Sequence, residues 1–278
     1  MNRRFFIFGL GFAATVIARD LAAQGWEVVS TGSEGTLSFD DEGTVRLALA
    51  DADHVLSSVP PGGDGLDPVL DRYGGALAGK ALSYLSSSGV YGDTGGAWVD
   101  ESAPTGAGRR TARAEADAEW LARGARVYRL PGIYGPGRSI FDRIAEGRAH
   151  RIDLPGQVFS RIHVEDIASG VIAGLAAPAG AYNLADDLPC SQNLVVEEGC
   201  RLLGIEPPPL QSLEKAGLSV MARAFFAENR RVANGKARRV LGWKPRYPDY
   251  AAGLRALRAT TRPVMASTDP ATASRVQR

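Results

Sequence analysis

The chain has 278 residues, 45% hydrophobic and 23% charged. That is enough for a full core in one α/β domain with a smaller lobe, and it excludes disordered, collagen-like and disulfide-scaffold classes. The formal net charge of +1 gives no general attraction to nucleic acid or to an anionic membrane, and two cysteines with three scattered histidines do not form a zinc-binding pattern.

The first predicted element is a short buried strand, because residues 5–8 read Phe-Phe-Ile-Phe. Residues 9–14 then fit the dinucleotide fingerprint G-x-G-x-x-A, and a helix is predicted over 15–24. Gly9 permits the tight turn and Gly11 lets a pyrophosphate approach the backbone at the N-terminus of the helix. A secretory signal and a packing turn without a ligand remain the alternatives.

A second strand is predicted over 26–30, and the residues at its end bear on the choice of cofactor. An NAD site usually has Asp or Glu there to bind the ribose 2′-hydroxyl, whereas this chain has Ser30-Thr31-Gly32-Ser33. Small hydroxyl residues tolerate a 2′-phosphate better than a carboxylate does, which favours NADP over NAD. No arginine adjoins these residues to pair with a 2′-phosphate, so the alternative that they form only a polar turn remains open.

Further strands and helices alternate along the chain, which predicts a parallel sheet with right-handed crossovers. The predicted strands are 54–59, 81–85, 126–130 and 181–184, and the predicted helices are 67–77, 111–123, 163–176 and 192–203, with a rigid loop over 131–138 and partly helical structure over 225–241. The expected fold class is α/β, a Rossmann-type doubly wound parallel sheet with a small C-terminal substrate lobe.

Three regions are expected from the change in composition along the chain. Residues 1–187 form the NAD(P)-binding Rossmann domain, with 133–160 contributing to the substrate cleft, and residues 188–262 form the substrate lobe. Residues 263–278 contain few large apolar side chains and are expected to be a disordered tail.

Candidate cofactor contacts lie where strands end, because ligands of doubly wound sheets bind at the carboxyl ends of the strands. The predicted set is Gly9, Leu10, Gly11, Phe12, Ala13, Ser30, Thr31, Ser33, Ser57, Ser58, Pro60 and Pro131.

Several segments in order resemble the NAD-dependent epimerase/dehydratase group of the extended short-chain dehydrogenase/reductase superfamily. They are residues 9–14, Ser86-Ser87-Ser88-Gly89-Val90-Tyr91-Gly92, residues 129–137, Ile162-His163-Val164-Glu165-Asp166 and Leu241-Gly242-Trp243-Lys244-Pro245. The resemblance covers nearly all of residues 3–258. It implies a Rossmann-type domain with a variable C-terminal lobe, a bound NAD(H) or NADP(H), and often a sugar-nucleotide substrate.

The family's proton relay uses a Tyr followed four residues later by a Lys that lowers the Tyr pKa. Only four lysines occur, so each can be checked: the residues four before Lys80, Lys215, Lys236 and Lys244 are Ala76, Gln211, Val232 and Val240. None is Tyr, which indicates the atypical branch of the superfamily. Arg109, Arg110 or Arg113 could replace the charge of the lysine, but only electrostatically.

Other candidate residues follow from the resemblance. Ser87 matches the family's catalytic Ser/Thr and Ser88 is a predicted substrate contact, although a serine bound to backbone at a strand end is the alternative. Tyr134 is a candidate catalytic residue, or else packs under the Gly-Pro loop. His163 is a candidate substrate-side residue at a common structural position of the family.

Arg138 is the predicted contact for an anionic substrate, with Arg143 and Arg161 as further candidates and surface solvation as the alternative. The expected function is an NAD(P)-binding oxidoreductase or epimerase acting on an anionic or nucleotide-linked small molecule; proton transfer by a substitute residue and protonation by water both remain open. The alternative is a non-catalytic, NADP-binding, redox-responsive regulator. We expect a cytoplasmic monomer or homodimer with a small-molecule substrate, no nucleic acid and no membrane partner.

Overall fold

The computed structural model describes residues 3–108 and 111–260. The strands in chain order are β1 (Arg4–Phe8), β2 (Glu27–Ser30), β3 (His54–Ser57), β4 (Ala81–Ser87), β5 (Trp98–Val99), β6 (Arg126–Leu130), β7 (Gly132–Tyr134), β8 (Arg151–Ile152), β9 (Arg161–His163), β10 (Gly180–Asn183), β11 (Leu210–Gln211) and β12 (Arg231–Val232). The α-helices are α1 (Phe12–Ala23), α2 (Glu42–Asp51), α3 (Pro68–Tyr73), α4 (Thr111–Ala122), α5 (Ile140–Ala145), α6 (Val164–Ala173), α7 (Gln192–Leu203), α8 (Val220–Phe225), α9 (Gly235–Val240) and α10 (Tyr250–Thr260). Two 3₁₀ helices cover Gly74–Leu77 and Ser88–Tyr91.

Six parallel strands form the main sheet in the order β2-β1-β3-β4-β6-β10. The chain moves outward from β1 in both directions, so the topological switch point lies between β1 and β3. Ligands of doubly wound sheets bind in the crevice at such a point. The expected Rossmann-type α/β fold is confirmed.

Both faces of the sheet are covered, which explains why β1 is apolar without interruption from Phe5 to Phe8. Side chains of β1 alternate between the two faces: Phe5 and Ile7 join the core under α1 and α6, and Phe6 and Phe8 join the core under α2, α3 and α4. This double cover fixes the carboxyl ends of the strands as one rigid edge.

The C-terminal third contributes a smaller helical cluster in which α5, α7 and α10 bury Ile140, Val196 and Leu254 together. It also returns to the sheet, because Ala237 and Trp243 belong to the core under α1 and α6. The division into three regions stays a prediction, and its last region, residues 263–278, lies outside the described residues.

The segment 131–138 differs from the expected rigid loop. Its residues Gly132–Tyr134 form β7, which pairs in parallel with β9. The predicted helix 163–176 begins one residue later, because His163 is the N-cap of α6. In the stretch 225–241, the helix that follows Phe225, the last residue of α8, is α9. Among the described residues no helix is long and apolar enough to cross a membrane.

Candidate cofactor and substrate cleft

The loop between β1 and α1 is held in place from the end of β2. The N–H of Gly9 donates to Thr31 Oγ1 (3.2 Å), and the N–H of Leu10 donates to the carbonyl of Thr31 (2.8 Å). Gly9 has a φ of 79°, and a Cβ there would lie 2.9 Å from Val59 Cγ2. Glycine is therefore required at position 9 by the fold itself.

Gly11 is a different case, because the fold does not require a glycine there. It is the N-cap of α1 with a φ of −92°, which any residue adopts, and a Cβ built on it meets no heavy atom within 4 Å. Within residues 3–108 and 111–260 no side chain caps α1, which leaves the N–H groups of its first turn open to a ligand. An uncapped helix N-terminus beside open space suits an anionic group such as a pyrophosphate.

A cavity of about 420 Å³ opens at this edge of the sheet. It brings together eight of the residues predicted from the sequence, namely Gly11, Phe12, Ala13, Ser58, Ser87, Ser88, Pro131 and Arg138. They come from the ends of β1, β3, β4 and β6 and from the loop after β7. Five of the eight, Gly11, Phe12, Ala13, Ser58 and Pro131, were predicted because ligands bind at the carboxyl ends of parallel strands.

The other predicted cofactor residues lie around this cavity without lining it. Gly9, Leu10 and Thr31 build the loop described above, while Ser30 and Ser57 are buried. Ser57 Oγ accepts from the N–H of Val59 (3.4 Å). Ser33 and Pro60 are exposed in the loops after β2 and β3.

The serines that end β4 are held by different partners. Ser87 Oγ accepts from the N–H of Gly89 (3.1 Å), and among the described residues no acceptor takes its proton. Ser88 is buried in the wall of the cavity. Ser86 Oγ donates to Asp117 Oδ2 (2.6 Å) and thereby ties the end of β4 to α4.

A buried ion pair supports this end of the sheet from behind. Asp117 receives two hydrogen bonds from Arg129, at 2.7 and 3.1 Å, and Arg129 Nη1 donates to Tyr91 Oη (3.1 Å). Burial opposes the charge of Arg129, but the hydrogen bonds with Asp117 and Tyr91 raise the pKa of the guanidinium above its ordinary value. The pair and Ser86 together fix the strand that carries Ser87 and Ser88.

Arg113 places a positive charge in the cavity wall from α4. Its Nη1 donates to Tyr84 Oη (2.7 Å), and burial raises the pKa of Tyr84 to about 12 despite the neighbouring cation. Of the three arginines that could replace the family's lysine, Arg113 is therefore at the cleft, whereas Arg109 and Arg110 lie outside the described residues.

A second cavity of about 550 Å³ adjoins the first on the side of the C-terminal lobe. The two share six lining residues, namely Gly132, Ile133, Arg138, Phe159, Ser160 and Phe225. Arg143 and Arg161 line the second cavity, as the interpretation of them as anion contacts requires. Arg161 also donates to the carbonyl of Phe159 (2.9 Å) and to Gln192 Oε1 (3.0 Å).

Tyr134 lines the second cavity. The hydroxyl is buried without a hydrogen-bond partner among the described residues, and a Cβ on Gly253 of α10 would lie 2.0 Å from it. Burial and the nearby carboxylates of Asp186 and Asp166 raise the pKa of Tyr134 above its ordinary value. This environment fits the packing alternative better than proton transfer.

His163 is 2% exposed and lines neither cavity. Its Nδ1 accepts from the N–H of Glu165 (3.3 Å) as the N-cap of α6, and its ring packs between Tyr134 and Tyr247. Burial lowers the pKa of His163 to about 4, so the ring is neutral at pH 7. The structural position is therefore the better interpretation of His163.

Sequence reasoning missed the cavity residues that the C-terminal lobe supplies. Phe225, Glu228 and Arg230 line the first cavity, and Arg230 Nη1 pairs with Glu228 Oε2 (2.9 Å). In the sequence, Arg230 stands beside a second arginine, Arg231, but an arginine pair is by itself typical of a solvated face.

The fold and this cleft define a Rossmann-type protein with a site that fits a dinucleotide. A conserved protein of unknown function from Silicibacter pomeroyi has a similar structure, with 39% sequence identity, a TM-score of 0.81, and coverage of 93% of this chain and 99% of that one. A putative NAD-dependent epimerase/dehydratase from Methylobacillus flagellatus is 25% identical with a TM-score of 0.72, covering 93% and 98%. Protein YeeZ of Escherichia coli strain K12 is 28% identical, covering 87% of this chain and 96% of that protein.

No protein-family model matches the chain. In its motifs, its sheet topology and these relatives, the chain is similar to NAD-dependent epimerase/dehydratase proteins of the extended short-chain dehydrogenase/reductase superfamily.

Proposed function

We propose that this protein is an NADP(H)-dependent oxidoreductase that acts on a small anionic molecule. The observation that carries the proposal is the pair of adjoining cavities, one at the uncapped N-terminus of α1 and the other reaching into the C-terminal lobe. The first has room and charge for a dinucleotide, and the second offers a place for a substrate beside it.

The residues around the first cavity fit a dinucleotide in two ways. Gly11 leaves open space where a phosphate would meet the helix N–H groups. Arg113 and Arg230 line the cavity, and Glu228 is the one carboxylate that the described residues place in its wall, which favours an anionic ligand. When bound, the nicotinamide would supply or accept a hydride.

The preference for NADP over NAD rests on the end of β2. Thr31 is 1% exposed and its hydroxyl accepts from Gly9, while a Cβ on Gly32 would lie 2.8 Å from Leu10 N. This crowded turn presents the exposed Ser33 hydroxyl and has no carboxylate at the strand end that would repel a 2′-phosphate. Titration of the protein with NADPH and with NADH tests the preference, and tighter binding of NADH would overturn it.

The chain's own residues offer hydrogen bonds to a substrate rather than a proton relay. Ser87 can donate its hydroxyl proton to a substrate oxygen, because among the described residues the hydroxyl only accepts a hydrogen bond, from the N–H of Gly89. Arg113 supplies positive charge but cannot give up a proton. Protonation of the product by water therefore suits this site, with Ser87 and Ser88 orienting the oxygen that gains charge.

The substitution Gly11→Ala tests the cofactor site without disturbing the fold. The new methyl group meets no atom of the protein, so we expect stability to change by less than about 1 kcal/mol, while NADPH binding weakens at least about tenfold because the phosphate is displaced from the helix N–H groups. Gly75→Ala is the matched control, since a Cβ at Gly75 also meets nothing within 4 Å. Equal NADPH affinity of Gly11→Ala and the wild type would refute the placement.

Turnover separates the enzyme from the non-catalytic regulator. NADPH oxidation is followed by absorbance with a panel of carbonyl and unsaturated acids. Tight NADPH binding without turnover of any substrate would favour the regulator.

A further inference from the structure

We infer that the substrate is a planar aromatic acid, which stacks its ring on Phe225 and places its anionic group against Arg138. The inference rests on the proposed function, since it names the substrate class of the same cleft. Both residues lie where the two cavities meet, because each lines both of them.

Phe225 offers an aromatic surface that the protein does not cover. Its ring is stacked on Phe159, with centroids 4.5 Å apart and planes at 10°, and Phe226 contacts Phe159 edge-on at 5.6 Å. Phe225 is nevertheless 44% exposed. A phenyl ring held flat and open at the junction of two cavities suits a second flat ring, which gains both apolar burial and stacking.

Arg138 offers the charge. Its guanidinium lies 5.6 Å from the centroid of the Phe12 ring, at the start of α1. Among residues 3–108 and 111–260 no carboxylate pairs with it. The two carboxylates that line the second cavity have other partners. Glu146 pairs with Arg148, and Asp142 accepts hydrogen bonds from the N–H and the hydroxyl of Ser139.

The second cavity as a whole also favours an anion. It is lined by four arginines, Arg138, Arg143, Arg148 and Arg161, and by two carboxylates, Asp142 and Glu146. A carboxylate suits a planar guanidinium because the two can form parallel hydrogen bonds. An aromatic ring bearing a carboxylate a few atoms away uses both features of the junction at once.

The test compares three probe molecules by calorimetric titration of the full chain in the presence of NADPH. They are trans-cinnamate, cinnamyl alcohol, which lacks the charge, and 3-cyclohexylpropanoate, which lacks the aromatic ring. We expect trans-cinnamate to bind at least about tenfold more tightly than the alcohol and about three- to tenfold more tightly than the cyclohexyl acid.

Two variants assign these differences to residues. Arg138→Gln should weaken trans-cinnamate about 10- to 100-fold and leave cinnamyl alcohol unchanged, whereas Arg143→Gln, which lines only the second cavity, should have a smaller effect. Phe225→Leu should weaken trans-cinnamate about three- to tenfold and leave the cyclohexyl acid nearly unchanged. Phe226→Leu is its matched control, because Phe226 belongs to the same aromatic cluster but lines neither cavity.

Equal binding of the aromatic and cyclohexyl acids would overturn the aromatic part of the inference, and equal binding of trans-cinnamate and the alcohol would overturn the anionic part. If the wild type binds NADPH but none of the probes, the inference fails while the proposed function stands. Loss of NADPH binding by the wild type would instead remove the proposed function itself.

Discussion

Arg129→Met should be among the most damaging single substitutions in the sheet, because it leaves a carboxylate buried without its cation. Arg129 is 4% exposed and Asp117 is 1% exposed, and the two share hydrogen bonds of 2.7 and 3.1 Å. After the substitution the one side-chain donor that the described residues leave to Asp117 is the hydroxyl of Ser86. Breaking a buried pair in this way costs about 3–5 kcal/mol, which is a large part of the stability of an ordinary domain.

A second variant separates the charge effect from the loss of packing. In Asp117→Leu combined with Arg129→Met, both charges are gone and apolar side chains fill the space. Replacement of a whole buried pair is often neutral or stabilising, so we expect the double variant to recover most of the loss. The matched control is Arg201→Met, which removes an exposed arginine from its pair with Glu198 on α7 and should leave the unfolding midpoint unchanged.

Urea unfolding at pH 7, followed by circular dichroism, measures these changes as shifts in midpoint at constant slope. The reasoning would be refuted if Arg129→Met lost less than about 1 kcal/mol, which is the range of an exposed ion pair. It would also be refuted if the double variant lost as much as the sum of the two single variants, since the two charges would then act independently.

Other predictions concern the buried groups beneath the second cavity. Tyr134→Phe should keep turnover and be at least as stable as the wild type, because it removes a buried hydroxyl that has no partner; loss of turnover would instead restore Tyr134 as a catalytic residue. Gly253→Ala should destabilise by about 1–3 kcal/mol, measured by urea unfolding, because its Cβ would overlap that hydroxyl; unchanged stability would contradict the packing. Burial raises the pKa of Asp186 to about 8, so the folded protein binds more protons than the unfolded chain from about pH 4 to 8 and its stability falls as pH rises through that window. With Asp186→Asn, the unfolding midpoint should fall less between pH 5 and 8 than it does in the wild type. An equal fall in both proteins would show that other groups cause the pH dependence.

The bounds of strands and helices were predicted well where a capping residue or a change in the spacing of apolar residues marks the end of the element. The strand 126–130 and the helix 192–203 have the predicted bounds, with Ser191 Oγ accepting from Leu194 N and Gly204 in the left-handed region. By contrast, β7 was expected as loop, because its structure depends on pairing with β9. No local pattern encodes a partner nearly thirty residues away.

The same distinction holds in the cleft. Gly11, Ser58 and Pro131 could be predicted as cleft residues because strand ends of a parallel sheet meet at one edge. The position of Phe225 could not be predicted, since it depends on stacking against Phe159 from a distant part of the chain. The direction of the Tyr134 hydroxyl likewise depends on the packing of α10, which carries Gly253.

The scarcity of lysine can now be related to the chemistry of the site. A Tyr–Lys relay works when the cation lowers the phenol pKa more than burial raises it. In this chain Arg113, a cation in the cavity wall, donates a hydrogen bond to the phenol of Tyr84, which lies in the sheet. Burial outweighs the effect of Arg113 and raises the pKa of Tyr84 to about 12. Lys236 does lie 4.8 Å from the centroid of the Tyr182 ring, but neither residue lines the cleft and the Tyr182 hydroxyl donates to the carbonyl of Pro178. A tyrosine beside a cation is therefore not sufficient for a base, and a site walled by arginines and serine hydroxyls suits a reaction that takes its proton from water.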